Sequence, residues 1–381
     1  MLSSFGLVAG ATDSKGVKPI LRNVKCIATD ERCTLMATDL ELGIRLEVRA
    51  VKVDEPGEAI LPLAKMMAIF RESVDEEMTV EYVNQKVIVR GERGKWEMAS
   101  EAVEGFPDVP EFDADAHHEV SGKVLRELID KTSFGAAPMG KMGFATTGVL
   151  VEAVDNEMAM IATNGGMLIR LHGVAKSVGE HSTEGKTRIM PVKALAMIER
   201  NIGDPDEVVR VCLRDNDALV KTERATIYTR LIEGRFPSYR NVIPPTYKFK
   251  ATCAAGPLLL AIRQADVLTD AESIRVRFNF TKGKLALSAG GQAGASEVET
   301  AVECNGAFDG YFKPVDFTKP LEKMEPDAVV TFESNTADKP AKMTQGDYMI
   351  VAVPLVSTAD LDAAADKKKA SRKAEKETVT A

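Results

Sequence analysis

Ile60-Leu61-Pro62-Leu63-Ala64-Lys65-Met66-Met67-Ala68-Ile69 and Ile189-Met190-Pro191-Val192-Lys193-Ala194-Leu195-Ala196-Met197-Ile198 are two versions of one phrase. Each is a short apolar entry, then a proline, then apolar residues at helical spacing. Proline suits a helix start, where its missing N–H has no intrahelical partner to lose. Other matches follow in the same order. Glu104-Gly105-Phe106-Pro107 returns as Glu233-Gly234-Arg235-Phe236-Pro237, and Met36-Ala37-Thr38-Asp39 returns as Ile161-Ala162-Thr163-Asn164. Pro191 follows Pro62 by 129 residues, Phe236 follows Phe106 by 130, and Ala162 follows Ala37 by 125. Several ordered matches at nearly one offset mark an internal repeat. A fainter third copy opens at Tyr311-Phe312-Lys313-Pro314, and Ala328–Phe332 resembles Val208–Cys212.

The repeat predicts three related domains, 1–114, 117–247 and 248–357. Leu63, Met66, Met67 and Phe70 fall at i, i+3, i+4 and i+7, one helix face, and Val124, Leu125, Leu128 and Ile129 behave alike. Met78–Val83 and Val87–Val89 alternate as strands about a tight turn at Asn84-Gln85, and 208–232 reads as short strands turning at Asn216-Asp217. The fold class is α+β, with antiparallel sheets and helices on one side. Residues 358–381 have few large apolar side chains and predict a disordered tail.

Composition narrows function. The 381 residues are 45% hydrophobic and 28% charged, with a net charge of −8, which weighs against gripping nucleic acid by bulk charge. No apolar run approaches the roughly 20 residues of a membrane helix, and the N-terminus shows no signal-peptide pattern. Cys26, Cys33, Cys212, Cys253 and Cys304 are scattered, with no CxxC. That argues for a reducing cytosol, against a disulfide framework and against a zinc site. His117, His118, His172 and His181 lie in polar, loop-like stretches and read as surface residues. Gly135–Lys141 fits GxxxxGK, yet Met142 stands where that loop needs Ser or Thr, and a helix precedes it where a strand should. It reads as a glycine-rich connector. No other catalytic motif is present, so neither an enzyme nor a cofactor is expected.

The predicted helices are less acidic than the whole. Lys65 and Arg71 face Glu72; Lys123, Arg126 and Lys131 face Glu127 and Asp130; Lys193 and Arg200 face Glu199. Each nets +1, a mildly basic helical surface on an acidic body.

These residues resemble the bacterial DNA polymerase III beta subunit, the sliding clamp, over about 1–357. The most specific pieces are Lys18–Asn23, Ala37–Glu41, Ala162–Gly165, Gly234–Arg240 and Tyr348–Leu355. The resemblance implies a head-to-tail homodimer forming a pseudo-sixfold ring, sheets outside and helices inside. Such a ring encircles duplex DNA without sequence preference and tethers the replicative polymerase. A clamp loader and other partners would dock through short peptides. It places a partner-peptide pocket at Thr163, Gly165, Leu168, Pro237, Val242, Met349, Val351 and Val353, and a DNA contact at Lys15. Lys65, Arg71, Lys123, Arg126, Lys131, Lys193 and Arg200 then face DNA. Three departures stand out: the family's first strand is missing ahead of the first helix, Gly166 and Met167 replace its usual basic or His residues, and the chain runs beyond Leu355. They motivate an alternative, a specialised clamp paralogue that binds peptides without stable DNA encirclement.

Overall fold

The computed structural model describes residues 1–13, 16–49, 51–140, 143–270, 274–292 and 294–355. Lys15 and the expected disordered tail 358–381 lie outside them. The elements come in three runs of one order. The first is α1 (Leu2–Val8), β1 (Val24–Ala28), β2 (Cys33–Thr38), β3 (Leu42–Val48), β4 (Gly57–Leu61), α2 (Leu63–Glu72), β5 (Thr79–Val83), β6 (Lys86–Arg90) and β7 (Lys95–Ala99). The second opens on a strand, β8 (His117–Ser121), before α3 (Gly122–Thr132). It continues through β9 (Gly148–Val154), β10 (Glu157–Thr163), β11 (Met167–Val174), β12 (Lys176–Val178) and β13 (Ile189–Pro191) to α4 (Val192–Asn201), then β14 (Val208–Leu213), β15 (Asp217–Lys221) and β16 (Ala225–Arg230). The third is β17 (Phe249–Ala254), α5 (Ala255–Asp266), β18 (Val276–Thr281), β19 (Lys284–Gly291), β20 (Gly294–Ala301), β21 (Glu303–Cys304), β22 (Phe308–Phe312), α6 (Val315–Leu321), β23 (Val329–Ser334), β24 (Ala341–Gln345) and β25 (Tyr348–Ala352). The fold is α+β, and the strand pairings among the described residues are antiparallel.

By packing, the described residues form two compact units: Met1–Ile161 with His172–Phe236, and Ala162–Leu171 with the described residues from Pro237 to Leu355. This division differs from the three domains suggested by the repeat, for a local reason. In the first unit, β16 pairs with β3, Ala225 opposite Leu46 and Thr229 opposite Leu42, so the first two runs share the sheet β12-β8-β14-β15-β16-β3-β2-β1-β4. In the second unit, the tip of β11 pairs with β25, Leu168 opposite Val351 and Arg170 opposite Met349.

Local signals hold where one element decides the outcome. Asn84 and Gln85 both take positive φ, 51° and 59°, the two-residue hairpin geometry that matches strand twist. Leu63 and Met66 of α2 and Leu125, Leu128 and Ile129 of α3 are buried. Ser121 caps α3, its Oγ accepting from the Val124 N–H at 3.3 Å. In the second unit a phenylalanine cluster fills the core. The Phe280 and Phe332 rings lie 4.9 Å apart, and Phe249, Phe278, Phe308, Phe312 and Phe317 pack around them.

The histidine reading is corrected. His118 is fully buried, and His117 and His181 nearly so. The Leu213 N–H donates to His181 Nε2 at 3.1 Å, leaving the His181 proton on Nδ1. That proton faces His118 Nδ1 at 2.7 Å, and His118 Nε2 donates to the Asp155 carbonyl at 3.1 Å. Burial lowers both imidazoles below 6.5. Polar flanking sequence suggested the surface; β12 on one side of β8, with Ser177 opposite His118, and β14 on the other put the pair inside the first unit.

Candidate functional site

The repeated Thr-Asp/Asn turn is built identically twice. In the second unit Thr163 Oγ1 donates to the Met167 carbonyl at 2.8 Å and accepts from the Gly165 N–H at 3.2 Å. Asn164 Oδ1 accepts from the N–H groups of Gly166 and Met167 at 3.0 and 2.9 Å. In the first unit Thr38 and Asp39 make the same four bonds around Leu40 and Leu42. Such side-chain-to-backbone bonds fix a turn without help from the sheet.

The turn ends in β11, which brings most of the expected peptide-pocket residues together. Leu168 is the cross-strand partner of Val351, and the Val353 N–H donates to the Gly166 carbonyl at 2.8 Å. Side chains alternate along a strand, so Leu168, Met349, Val351 and Val353 share one face. Val351 and Leu168 are buried, Met349 is half-buried and Val353 is exposed. Thr163 anchors the turn, and Gly165 takes φ 84° at its tip. Pro237 and Val242 lie in the same unit on a separate segment. Both are exposed, flanking buried Tyr239, and no strand pairing ties them to β11 or β25 among the described residues.

One group here was not legible in the sequence. A methyl group on Gly166 would lie 3.7 Å from Asp316 Oδ2 and 3.8 Å from Lys313 Nζ, ordinary contacts. Asp316 is 2% exposed, and its Oδ2 has no hydrogen-bond partner among the described residues. Burial pushes this carboxyl up to about 6, against the pull of Lys313 and Lys319.

The helix cations lie in the first unit. Lys65, Arg71, Lys123 and Arg200 are exposed. Arg126 donates to the Ile202 carbonyl, and Lys131 pairs with Glu127 at 2.6 Å. Lys193 is paired with Asp39. Three of the seven described cations are therefore already engaged. The net charges are +1 for α2, α3 and α4, and zero for α5 and α6; Arg263 of α5 is itself paired with Glu322 at 2.7 Å. Among the described residues no cluster of metal-ligating side chains forms, and no helix is long and apolar enough to cross a membrane.

Residues 1–110 match the DNA polymerase III beta subunit, N-terminal domain, and residues 119–238 match its central domain. The chain belongs to the DNA polymerase III beta subunit family. Curated relatives include the beta sliding clamp of Haemophilus influenzae, 26% identical over 306 residues, covering 80% of this chain and 82% of that one. The beta sliding clamp of Escherichia coli K12 is 25% identical over 293 residues, covering 76% and 78%. In fold, the chain is similar to the crystal structure of the DNA polymerase III subunit beta from Pseudomonas aeruginosa. That match has a TM-score of 0.85 at 23% identity, covering 93% of this chain and 97% of that one. The Bacillus subtilis sliding clamp gives 0.86 at 18% identity, over 93% and 97%.

Proposed function

We propose that this non-catalytic chain is a DNA sliding clamp that tethers the replicative polymerase, and that two copies close head to tail around duplex DNA. The observation that carries the closure is a repeated strand pairing. β16 ends the second run and pairs with β3; β25 ends the third and pairs with β11. By position, β7 matches β16 and β25, while β20 matches β3 and β11. β7 and β20 each end their sheet, β5-β6-β7 and β20-β19-β18-β22. Unpaired edges invite pairing with another chain. β7 of one copy on β20 of its partner repeats the internal rule, and a head-to-tail contact that closes makes a ring. Three domains, near 1–114, 117–247 and 248–357, then give six around the ring.

Topology also resolves the charge problem. A closed ring holds DNA without many phosphate contacts, and helices of net charge +1 permit sequence-blind sliding. An acidic exterior keeps DNA off the rest of the surface. The polymerase, the clamp loader and other cytoplasmic partners dock by short peptides on the face carrying Leu168, Met349, Val351 and Val353, with Thr163, Gly165, Pro237 and Val242 beside it. Apolar anchors suit an extended peptide. The test is topological. The loaded protein should stay on closed circular DNA and leave once the circle is cut. Equal loss from circular and linear DNA would overturn the ring.

A further inference from the structure

Cys26 and Cys33 are seven positions apart and form no sequence motif, yet the β1–β2 hairpin brings them together. Ala28 sits opposite Cys33, and Cys26 lies two residues back on the same face. Their sulfurs are 3.5 Å apart and hydrogen-bonded. The hairpin end is pinned beside them, the Thr29 N–H donating to the Arg32 carbonyl at 2.9 Å. Cys33 is 3% exposed, whereas Cys26 is half-buried. We propose that Cys26 and Cys33 are a reversible oxidation site, closing to a cross-strand disulfide within β1–β2 when a hydroperoxide reaches them.

The shared proton prepares the pair. The Cys26 S–H bond to Cys33 lowers Cys33 and raises Cys26, which favours thiolate on Cys33. The Cys33 thiolate attacks a peroxide oxygen and the O–O bond breaks. Cys33 becomes a sulfenic acid, oxidised by two electrons, and the released hydroxide takes a proton to become water. The Cys26 sulfur then attacks the Cys33 sulfur. The S–S bond forms, the S–O bond breaks, and a second water leaves with the Cys26 proton. Two thiols and one peroxide give one disulfide and two waters. The two cysteines are diagonal across the hairpin and not directly opposed, so closing from 3.5 Å to the roughly 2.0 Å of a disulfide takes a shift of the hairpin backbone together with side-chain rotation. The burial of Cys33 favours a small peroxide over a bulky disulfide oxidant.

The test uses the full chain with hydrogen peroxide, followed by alkylation, digestion and peptide mass mapping. Free thiols should fall from five to three. The peptides carrying Cys26 and Cys33 should be cross-linked, with the mass of two hydrogens lost, and dithiothreitol should restore all five. In Cys26→Ser, with its folded state checked by circular dichroism, Cys33 should instead be trapped as a sulfenic acid by dimedone. Persistence of both thiols while Cys212, Cys253 or Cys304 oxidises would overturn the proposal, as would disulfides joining Cys26 or Cys33 to any other cysteine.

Discussion

Leu40 and Gly165 hold the same left-handed position in two copies of one turn, at φ 78° and 84°. The second copy has the residue the geometry favours; the first does not. A left-handed L-residue costs about 1–2 kcal/mol, partly offset by the backbone freedom that glycine loses on folding. Leu40 is 42% exposed, so its side chain contributes little burial. Leu40→Gly should therefore raise stability by about 0.5–1 kcal/mol, and Gly165→Leu should lower it. Denaturant midpoints check both. Loss of stability in Leu40→Gly would show that the leucine side chain matters more than its backbone.

The histidine relay sets an acid limit. Folding lowers the His118 and His181 values below 6.5, so below about pH 6.5 the unfolded chain binds more protons. Stability from the relay is complete above that value and declines as pH falls beneath it. In urea unfolding the parent should lose stability relative to His181→Gln from about pH 7 to pH 5. Identical slopes would exclude the relay as the cause.

Asp316 acts in the opposite direction. Its carboxyl is raised from 3.8 to about 6, so the native state holds the proton longer than the unfolded chain. The cost of ionising it grows between those values and is fully present above about pH 6. Asp316→Asn should be more stable than the parent near pH 7 by on the order of 1–3 kcal/mol, and indistinguishable near pH 4. A variant less stable at pH 7 would mean that the carboxylate has a stabilising partner.

The cations proposed to face DNA should be unequal. Lys65 and Lys123 are exposed, while Lys131 is paired with Glu127. Lys65→Glu with Lys123→Glu should weaken DNA contact several-fold at low salt and flatten its salt dependence. Lys131→Gln should change little. Equal effects of the two changes, measured by fluorescence anisotropy on duplex DNA, would count against this assignment.

On the proposed peptide face, Val353 is exposed and Pro237 flanks Tyr239. Pro237→Ala with Val353→Asp should weaken binding of a polymerase-derived peptide about tenfold or more while the dimer sediments unchanged. Unaltered peptide affinity would refute the placement of the pocket.

The sequence carried the repeat, the helix faces and the Asn84-Gln85 turn because each rests on spacing within one element. It also carried the Thr163–Met167 turn, whose bonds are all local. What it hid depends on pairing between distant strands. His118 meets His181 only once β12 lies against β8, and Cys26 meets Cys33 only in the register of β1 and β2. Lys193 looked like a free helix cation, but Asp39, far away in sequence, holds it. Nothing in the sequence marks Asp316; its burial beside Gly166 follows from how α6 packs in the second unit.

The β3–β16 pairing has a consequence during synthesis. Leu46 leaves the ribosome long before its partner Ala225 exists. Until then β3 is the open margin of a nascent sheet, with buried-type residues Leu42, Ile44 and Leu46 along it. A margin of that kind recruits neighbouring chains on a crowded polysome. The long sequence separation also slows its capture. For this chain, the hazardous interval in biogenesis is the translation time of the second run, and holding β3 apart from other chains through that interval falls to chaperones or to the pace of elongation.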